Sequence, residues 1–235
     1  MIGSKPVVLS CEKDVGQVFN KNGVPYIVNH IRLSNRRPGI SRKPKTMTVH
    51  STGNPRSTAR SEREWLLNPK NTRIASWHVV VDEKEAVEAI PPNEVAWHAG
   101  DGRHGEGNAF SIAVEICESG DRAKTLDNAA RVIAALLREH GLTLADVLQH
   151  FDWSRKNCPR ILRTGNLWNE FLASIGSYFK GEEPSALETA VALLVKEGVV
   201  RSPDYWLENA KPGKQVQGEF AAALIINMAN RLSMA

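Results

Sequence analysis

Two residue types that bind zinc stand in one segment, His150-Phe-Asp-Trp-Ser-Arg-Lys-Asn-Cys158, with Lys156 between them. Far earlier in the chain, His50 ends a short alternating segment. Catalytic zinc sites take three protein ligands from His, Cys, Asp or Glu and leave the fourth position to water. His50, His150 and Cys158 therefore predict an open zinc site. A His–Cys pair at this spacing also arises by chance, and a free cysteine is commonly a small buried hydrophobe.

The local sequence indicates which elements hold these side chains. Residues 46–50 alternate with a period of two, and residues 147–150 also resemble a short strand, so both histidines are expected at strand ends. Loops at strand ends commonly present functional groups. Pro159 directly follows Cys158 and has a fixed φ, which suits a ligand on a rigid loop.

Strand and helix patterns alternate along the chain, which favours an α/β layer architecture. The predicted strands cover residues 46–50, 74–82, 86–90 and 111–117, and the predicted helices lie near 57–66, 125–140 and 165–178. The glycine-rich segment 100–108 has neither a GKS nor a GxGxxG order. We therefore expect a mobile loop near the site there, and not a phosphate cradle.

The composition is that of an ordinary globular enzyme. A chain of 235 residues with 42% hydrophobic residues can form one domain with a full hydrophobic core and one small additional unit. No apolar run approaches the length of a membrane span, and the apolar stretch at the start is too short for a secretory signal, so we expect no membrane insertion and no signal peptide. Three cysteines do not suggest a disulfide framework, and a reducing cytoplasm would keep Cys158 available as a thiolate.

Positive charge is concentrated in the first part of the chain. Residues 31–75 contain eleven Lys and Arg against two Glu, whereas residues 181–235 contain seven acids against five bases. Such a basic face could attract nucleic acid or an anionic polymer such as teichoic acid. The alternative is that these charges are spread over several solvated loops. No aromatic-interleaved nucleic-acid motif accompanies them, so nucleic acid is not expected as a partner.

The pattern predicts two domains, residues 1–180 and 185–235, joined by a linker at 181–184. The second carries the apolar stripes of two helices, with a helix-start proline at Pro203 between them. A segment of this length buries little by itself, so we expect a compact helical domain that docks or self-associates. Tyr205 and Trp206 are candidate sugar-stacking groups, although both also fit a helical core.

Five motifs follow one another in order: residues 48–54 around His50, 75–82 around Trp77, 96–102 around His98, 108–118 around Glu115, and 150–159. In this order they resemble the zinc-dependent N-acetylmuramoyl-L-alanine amidases related to T7 lysozyme and the peptidoglycan recognition proteins, and most closely the Bacillus phage and prophage enzymes. The resemblance covers residues 25–180 and not the tail. It implies an α/β fold with a central mixed sheet flanked by helices, here followed by the small C-terminal helical domain.

Amide hydrolysis needs a proton acceptor for the attacking water and a group that stabilises the oxyanion. Glu115 is an unusual residue in an otherwise apolar strand, and it stands where this family has its general base; a solvated strand face is the alternative. Glu118 is the lesser candidate. Lys156 matches a lysine of T7 lysozyme-like members, which implies oxyanion stabilisation, although a solvated loop lysine would look the same.

The resemblance also implies residues that bind substrate. Trp77 occupies the place of a catalytic tyrosine in T7 lysozyme-like members, so acid–base chemistry should rest on Glu115. His98 matches a cleft histidine that contacts substrate or the oxyanion, with an exposed loop histidine as the alternative. Asn108 matches a loop position that could bind the stem peptide.

The resemblance implies Zn²⁺ as cofactor and bacterial peptidoglycan as partner. The expected reaction is hydrolysis of the amide between N-acetylmuramic acid and L-alanine. The alternatives are a non-catalytic peptidoglycan-binding protein of the same fold and a zinc endopeptidase that cuts the stem peptide. With no signal peptide, a phage or prophage endolysin is expected to stay in the host cytoplasm until a holin lesion releases it to the wall, where the C-terminal domain could target it.

Overall fold

The computed structural model describes residues 16–164, 167–181, 186–211 and 213–233. Seven strands of the described residues form one sheet: β1 (Val18–Lys21), β2 (Val24–Val28), β3 (Thr46–Ser51), β4 (Val79–Val81), β5 (Ala86–Glu88), β6 (Ser111–Ile116) and β7 (Val147–Gln149). They lie in the order β1-β2-β5-β4-β6-β3-β7. The β1–β2 and β4–β5 pairs are antiparallel and the other four pairs are parallel. The predicted mixed sheet is confirmed.

The helices divide between two compact units, residues 1–181 and 182–235. The first unit contains α1 (Ala59–Trp65), α2 (Glu106–Phe110), α3 (Arg122–His140), α4 (His150–Ser154) and α5 (Leu167–Phe179), and the second contains α6 (Ala186–Lys196), α7 (Pro203–Asn209) and α8 (Gly218–Leu232). In the described ranges, no helix combines the length and the apolar character needed to cross a membrane. The predicted C-terminal helices are present.

The alternation of β3 gives the sheet two different faces. Met47 and Val49 point into the main core, where they join apolar side chains of α3 and α5. Successive side chains of a strand point to opposite faces, so Thr48 and His50 lie on the other face. The core therefore fixes which residues of β3 are available for a site.

The long helix α3 supplies much of that core. Its first turn is capped by Asp121, whose carboxylate accepts a hydrogen bond from the N–H of Lys124. Gly141 ends it with φ of 66°, a left-handed conformation that favours glycine. The predicted end at Gly141 is thus confirmed.

Four local features differ from the sequence-based expectations. Only Val79–Val81 of the predicted strand 74–82 pairs with neighbours. His150 does not end β7 but begins α4, because the carboxylate of Asp152 accepts the N–H of Gln149 and starts a helical turn. The segment 100–108 ends in the first turn of the short helix α2, which begins at Glu106. The hairpin β1–β2 was not predicted, since the side chains of β1 are mostly exposed.

The second unit has its own contacts. The ring of Tyr205 stacks on that of Phe220 with centroids 3.8 Å apart, and its hydroxyl accepts a hydrogen bond from the N–H of Gln217. Tyr205 and Trp206 are both half-buried, which agrees with the core interpretation of these rings. Of the predicted linker 181–184, all but Gly181 lies outside the described residues.

Candidate active site

The register of three parallel strands places the candidate ligands. His50 on β3 lies beside Glu115 on β6, and Val49 lies beside Gln149, the last residue of β7. His150 follows at once as the first residue of α4. The loop after α4 folds back, since the Cys158 carbonyl accepts the N–H of Phe151 at 3.0 Å. These pairings bring three distant parts of the chain to one end of the sheet.

His50, His150 and Cys158 form a compact, buried group whose ligand atoms all lie within 4.8 Å of one another. The Nδ1 atom of His50 is 3.0 Å from Nδ1 of His150 and 3.8 Å from Sγ of Cys158. Around a tetrahedral zinc ion with ordinary bond lengths, the N–N separation is about 3.3 Å and the N–S separation about 3.6 Å. Two imidazole nitrogens and one thiolate suit zinc, and three ligands leave one position open. The residues present fit the ion.

Burial sets the protonation of these ligands. It lowers the pKa of His50 well below 6.5 and that of His150 to about 4, with the charge of Lys156 acting in the same direction. Burial also raises the pKa of the Cys158 thiol to about 11. Without a cation the group is therefore two neutral rings and a thiol. A metal ligand must be deprotonated, so zinc binding has to release the thiol proton.

Glu115 stands on the same sheet face as His50. Its Oε1 is 4.0 Å from Nδ1 of His50. Its Oε2 is buried and has no hydrogen-bond partner within the described residues. Burial, and then the charge of Glu62, raises the pKa of Glu115 to about 8, although Lys156 acts in the opposite direction. An orphaned carboxylate oxygen beside a metal-ligand group is suited to accept a proton from a bound water molecule.

A cleft of about 900 Å³ opens beside the candidate ligands. Its lining includes His150, His98 and Lys156, together with the apolar side chains of Ile74 and Trp97. Lys156 is exposed. The cleft therefore gives a large substrate access to one ligand and to the lysine.

Trp77 does not line this cleft in the part of the chain that is described. Its ring packs against two apolar clusters that include Ala59, Val80 and Leu66. Its Nε1 is buried and has no hydrogen-bond partner among the described residues. Packing, and not substrate contact, is the role these contacts give to Trp77.

His98 and Asn108 border the cleft, but their polar atoms bond to the protein. The ring of His98 is 7% exposed and lies between His50 and the carbonyl of Ser111. The amide of Asn108 bonds to the backbone of His98, Ala99 and Gly102. The hydrogen-bonding atoms of both residues are thus mostly used inside the protein, which leaves few of them for the predicted substrate contacts.

Arg160 has a role that no pattern in the sequence indicated. Its Nε donates to Oε1 of Glu118 at 2.9 Å, and a second guanidinium nitrogen bonds to Oε2. Burial raises the pKa of Glu118, but the hydrogen bonds of Arg160 and of the Gly53 N–H outweigh it and lower the pKa. Glu118 is therefore an ionised anchor between the loop of Cys158 and the end of β3. It is poorly suited to act as the base.

Comparison with known proteins identifies the family. A model described as N-acetylmuramoyl-L-alanine amidase matches residues 40–161, a range that contains every candidate site residue. The chain belongs to this family, and the predicted resemblance is confirmed. The second compact unit lies outside the matched range.

Individual relatives agree. The N-acetylmuramoyl-L-alanine amidase XlyA of Bacillus subtilis (strain 168) is 44% identical over 147 residues, which is 61% of this chain and 48% of XlyA. The amidase CwlH of the same organism is 37% identical over 176 residues, 73% of this chain and 67% of CwlH. The catalytic domain of XlyA has a TM-score of 0.61 and 42% identity, covering 65% of this chain and 100% of that domain. The chain thus spans about half the length of XlyA.

The buried histidines predict a loss of stability in mild acid. His50, His78, His98 and His150 all have lowered pKa values because they are buried, those of His98 and His150 being about 3 and 4. The unfolded chain takes up protons below about pH 6.5 and the folded chain does not, so each ring weakens folding by about 1 kcal/mol between pH 6.5 and 5.5. Glu115, with its raised pKa of about 8, acts oppositely and offsets one ring.

We therefore expect the free energy of unfolding of the zinc-free protein to fall by up to about 3 kcal/mol between pH 6.5 and 5.5. Urea unfolding at the two pH values measures the difference. Equal stabilities would show that the rings are not held neutral.

Proposed function

We propose that this protein is a zinc-dependent hydrolase that cleaves the amide between N-acetylmuramic acid and L-alanine in peptidoglycan. One observation carries the proposal: three ligand atoms of His50, His150 and Cys158 converge beside the orphaned carboxylate of Glu115. The names of XlyA and CwlH support the choice of bond. The adjacent cleft is large enough for a glycopeptide segment.

Held by His50, His150 and Cys158, zinc would act as a Lewis acid on the scissile carbonyl and would lower the pKa of water to about 7. Glu115 accepts the proton of the attacking water at Oε2 and later returns it to the leaving amine. Lys156, at the rim of the cleft, brings a positive charge toward the carbonyl oxygen as it becomes negative. Glu118 takes no part in proton transfer, because both of its carboxylate oxygens accept hydrogen bonds from Arg160 and its pKa is lowered.

The products of peptidoglycan digestion test the choice of bond. Mass spectrometry of the digest is expected to find stem peptides with a free N-terminal L-alanine and intact muramic acid. New termini inside the stem peptide would instead identify an endopeptidase. Binding to walls without any cleavage would identify a peptidoglycan-binding protein of the same fold.

Zinc dependence gives a direct prediction. We expect one zinc ion per chain, loss of activity with a chelator and recovery with added zinc. The His150→Ala protein should lose most of its metal, because two ligands hold the ion far more weakly than three. His104→Ala, a change at an exposed histidine outside the ligand group, is the control. Full zinc occupancy of His150→Ala in metal analysis would rule out this ligand set.

The role of Glu115 is tested by Glu115→Gln. The amide keeps the shape of the side chain but cannot accept the proton, so turnover should fall by roughly 10²–10⁴ while zinc content and wall binding are retained. Glu170→Gln, at an exposed position on α5, should leave turnover unchanged. Near-normal turnover of Glu115→Gln on a soluble muramoyl peptide would contradict the assignment.

The cellular setting forms part of the proposal. The chain would act as an endolysin that reaches the wall from the host cytoplasm through a holin lesion; a mutant endolysin from Bacillus subtilis has a TM-score of 0.61 and 44% identity over 65% of this chain. Several bases of the first part have internal partners: Arg60 bonds to Glu85, and Arg42 is largely buried. This weakens the idea of a basic binding face. The absence of a nucleic-acid partner stays a prediction.

The second unit gives the last prediction of this section. Because the chain divides at residue 181, a chain ending at Lys180 should fold, bind zinc and hydrolyse soluble muramoyl peptides at near full rate, yet lyse intact walls less well. Pull-down of segment 185–235 with purified walls tests targeting, and gel filtration tests self-association. Loss of activity on soluble substrate would mean that the tail is part of the catalytic domain.

A further inference from the structure

We propose that His98 sets the tautomer of His50, so that this ligand presents Nδ1 to the metal, and that Asn108 holds the turn of residues 98–100 in place. His98 and Asn108 are then positioning residues for the metal site and do not contact substrate. The inference rests on the proposed function for its zinc ion, but its hydrogen bonds belong to the chain itself.

The argument begins at the carbonyl of Ser111. The Nε2 atom of His98 lies 3.0 Å from this oxygen, which can only accept a hydrogen bond. Nε2 of His98 therefore carries the proton. A neutral imidazole has one N–H, and in His98 the carbonyl of Ser111 takes it. Its Nδ1 is consequently a bare acceptor.

That acceptor fixes the tautomer of His50. Nδ1 of His98 lies 3.1 Å from Nε2 of His50, and the two rings meet edge to face at 87°. Since Nδ1 of His98 accepts, Nε2 of His50 must donate. The lone pair of His50 is then on Nδ1, the atom that faces Nδ1 of His150 and Sγ of Cys158. His98 thus orients a ligand through its second ring nitrogen.

His150, the second histidine ligand, lies against the same turn. Its Nδ1 faces Nδ1 of His50 at 3.0 Å, and its Nε2 lies 3.6 Å from where a Cβ atom on Gly100 would stand. The turn of residues 98–100 therefore borders both histidine ligands.

Asn108 connects this turn to α2. Its Oδ1 accepts the N–H groups of His98 and Ala99 at 2.7 and 2.8 Å, and its Nδ2 donates to the carbonyl of Gly102 at 3.0 Å. Asp101, the residue after this turn, also bonds to α2, since its carboxylate accepts the N–H of Gly107 at 2.7 Å. The side chain of Asn108 is 6% exposed. Its hydrogen-bonding groups are used inside the protein.

Zinc affinity of two matched variants tests the proposal in the full chain. His98→Ala removes both hydrogen bonds, and loss of such a partner typically weakens metal binding 10–100-fold. In His98→Gln, the amide can donate to Ser111 and accept from His50, so most of the affinity should return. The control is His104→Gln, at an exposed histidine of the same segment, and should match the unmodified chain. Competition with a chromophoric chelator measures all four proteins.

The tautomers can be read without any variant. ¹⁵N NMR of the histidine rings in the zinc-free protein should show His50 and His98 both protonated on Nε2. Protonation of His50 on Nδ1, or equal zinc affinities for His98→Ala and the unmodified chain, would overturn the proposal. Failure of His98→Gln to exceed His98→Ala, with both folded by circular dichroism, would also overturn it. If the tautomers are as stated but the chain binds no zinc, the proposed function fails and the hydrogen-bond relay stands.

Discussion

The parallel pairing of β3 with β6 and β7 is the constraint on which the site depends. It aligns His50 with Glu115 and brings Gln149 beside Val49, so that His150 begins its helix next to the first ligand. The carboxyl ends of these strands meet at one edge of the sheet, where ligands bind in open α/β sheets. A shift of one residue in β3 would turn His50 into the core and Val49 onto the site face.

Burial gives this site its chemical character. The same apolar surroundings that keep the histidines neutral raise the pKa values of Cys158 and Glu115. Before a cation binds, the group is therefore a set of uncharged donors beside a carboxyl oxygen that has no hydrogen-bond partner in the described part of the chain. A divalent cation reverses this balance, because it favours the thiolate and the carboxylate. Binding, deprotonation of the ligand and preparation of the base are therefore coupled. The ion pair of Glu118 and Arg160 lies outside this group of uncharged side chains.

Local pattern was sufficient for part of this architecture. The alternation around His50 predicted β3, and the stripe ending at Gly141 predicted α3, because burial on one face leaves a period in the sequence. The convergence of the ligands was expected from ordered motifs and not from spacing. The backbone hydrogen bonds of Asn108 were not predictable, since a buried amide that holds a turn and one that binds a peptide look alike in sequence. Arg160 meets Glu118 only in the folded chain.

X-ray absorption spectroscopy at the zinc edge tests the central claim most directly. The account predicts one sulfur neighbour at about 2.3 Å, two histidine nitrogens at about 2.0–2.1 Å and one further light atom at the open position. This spectrum would match His50, His150 and Cys158 and no other set of three in the described part of the chain. A spectrum with no sulfur, or with two sulfur atoms, would contradict the account.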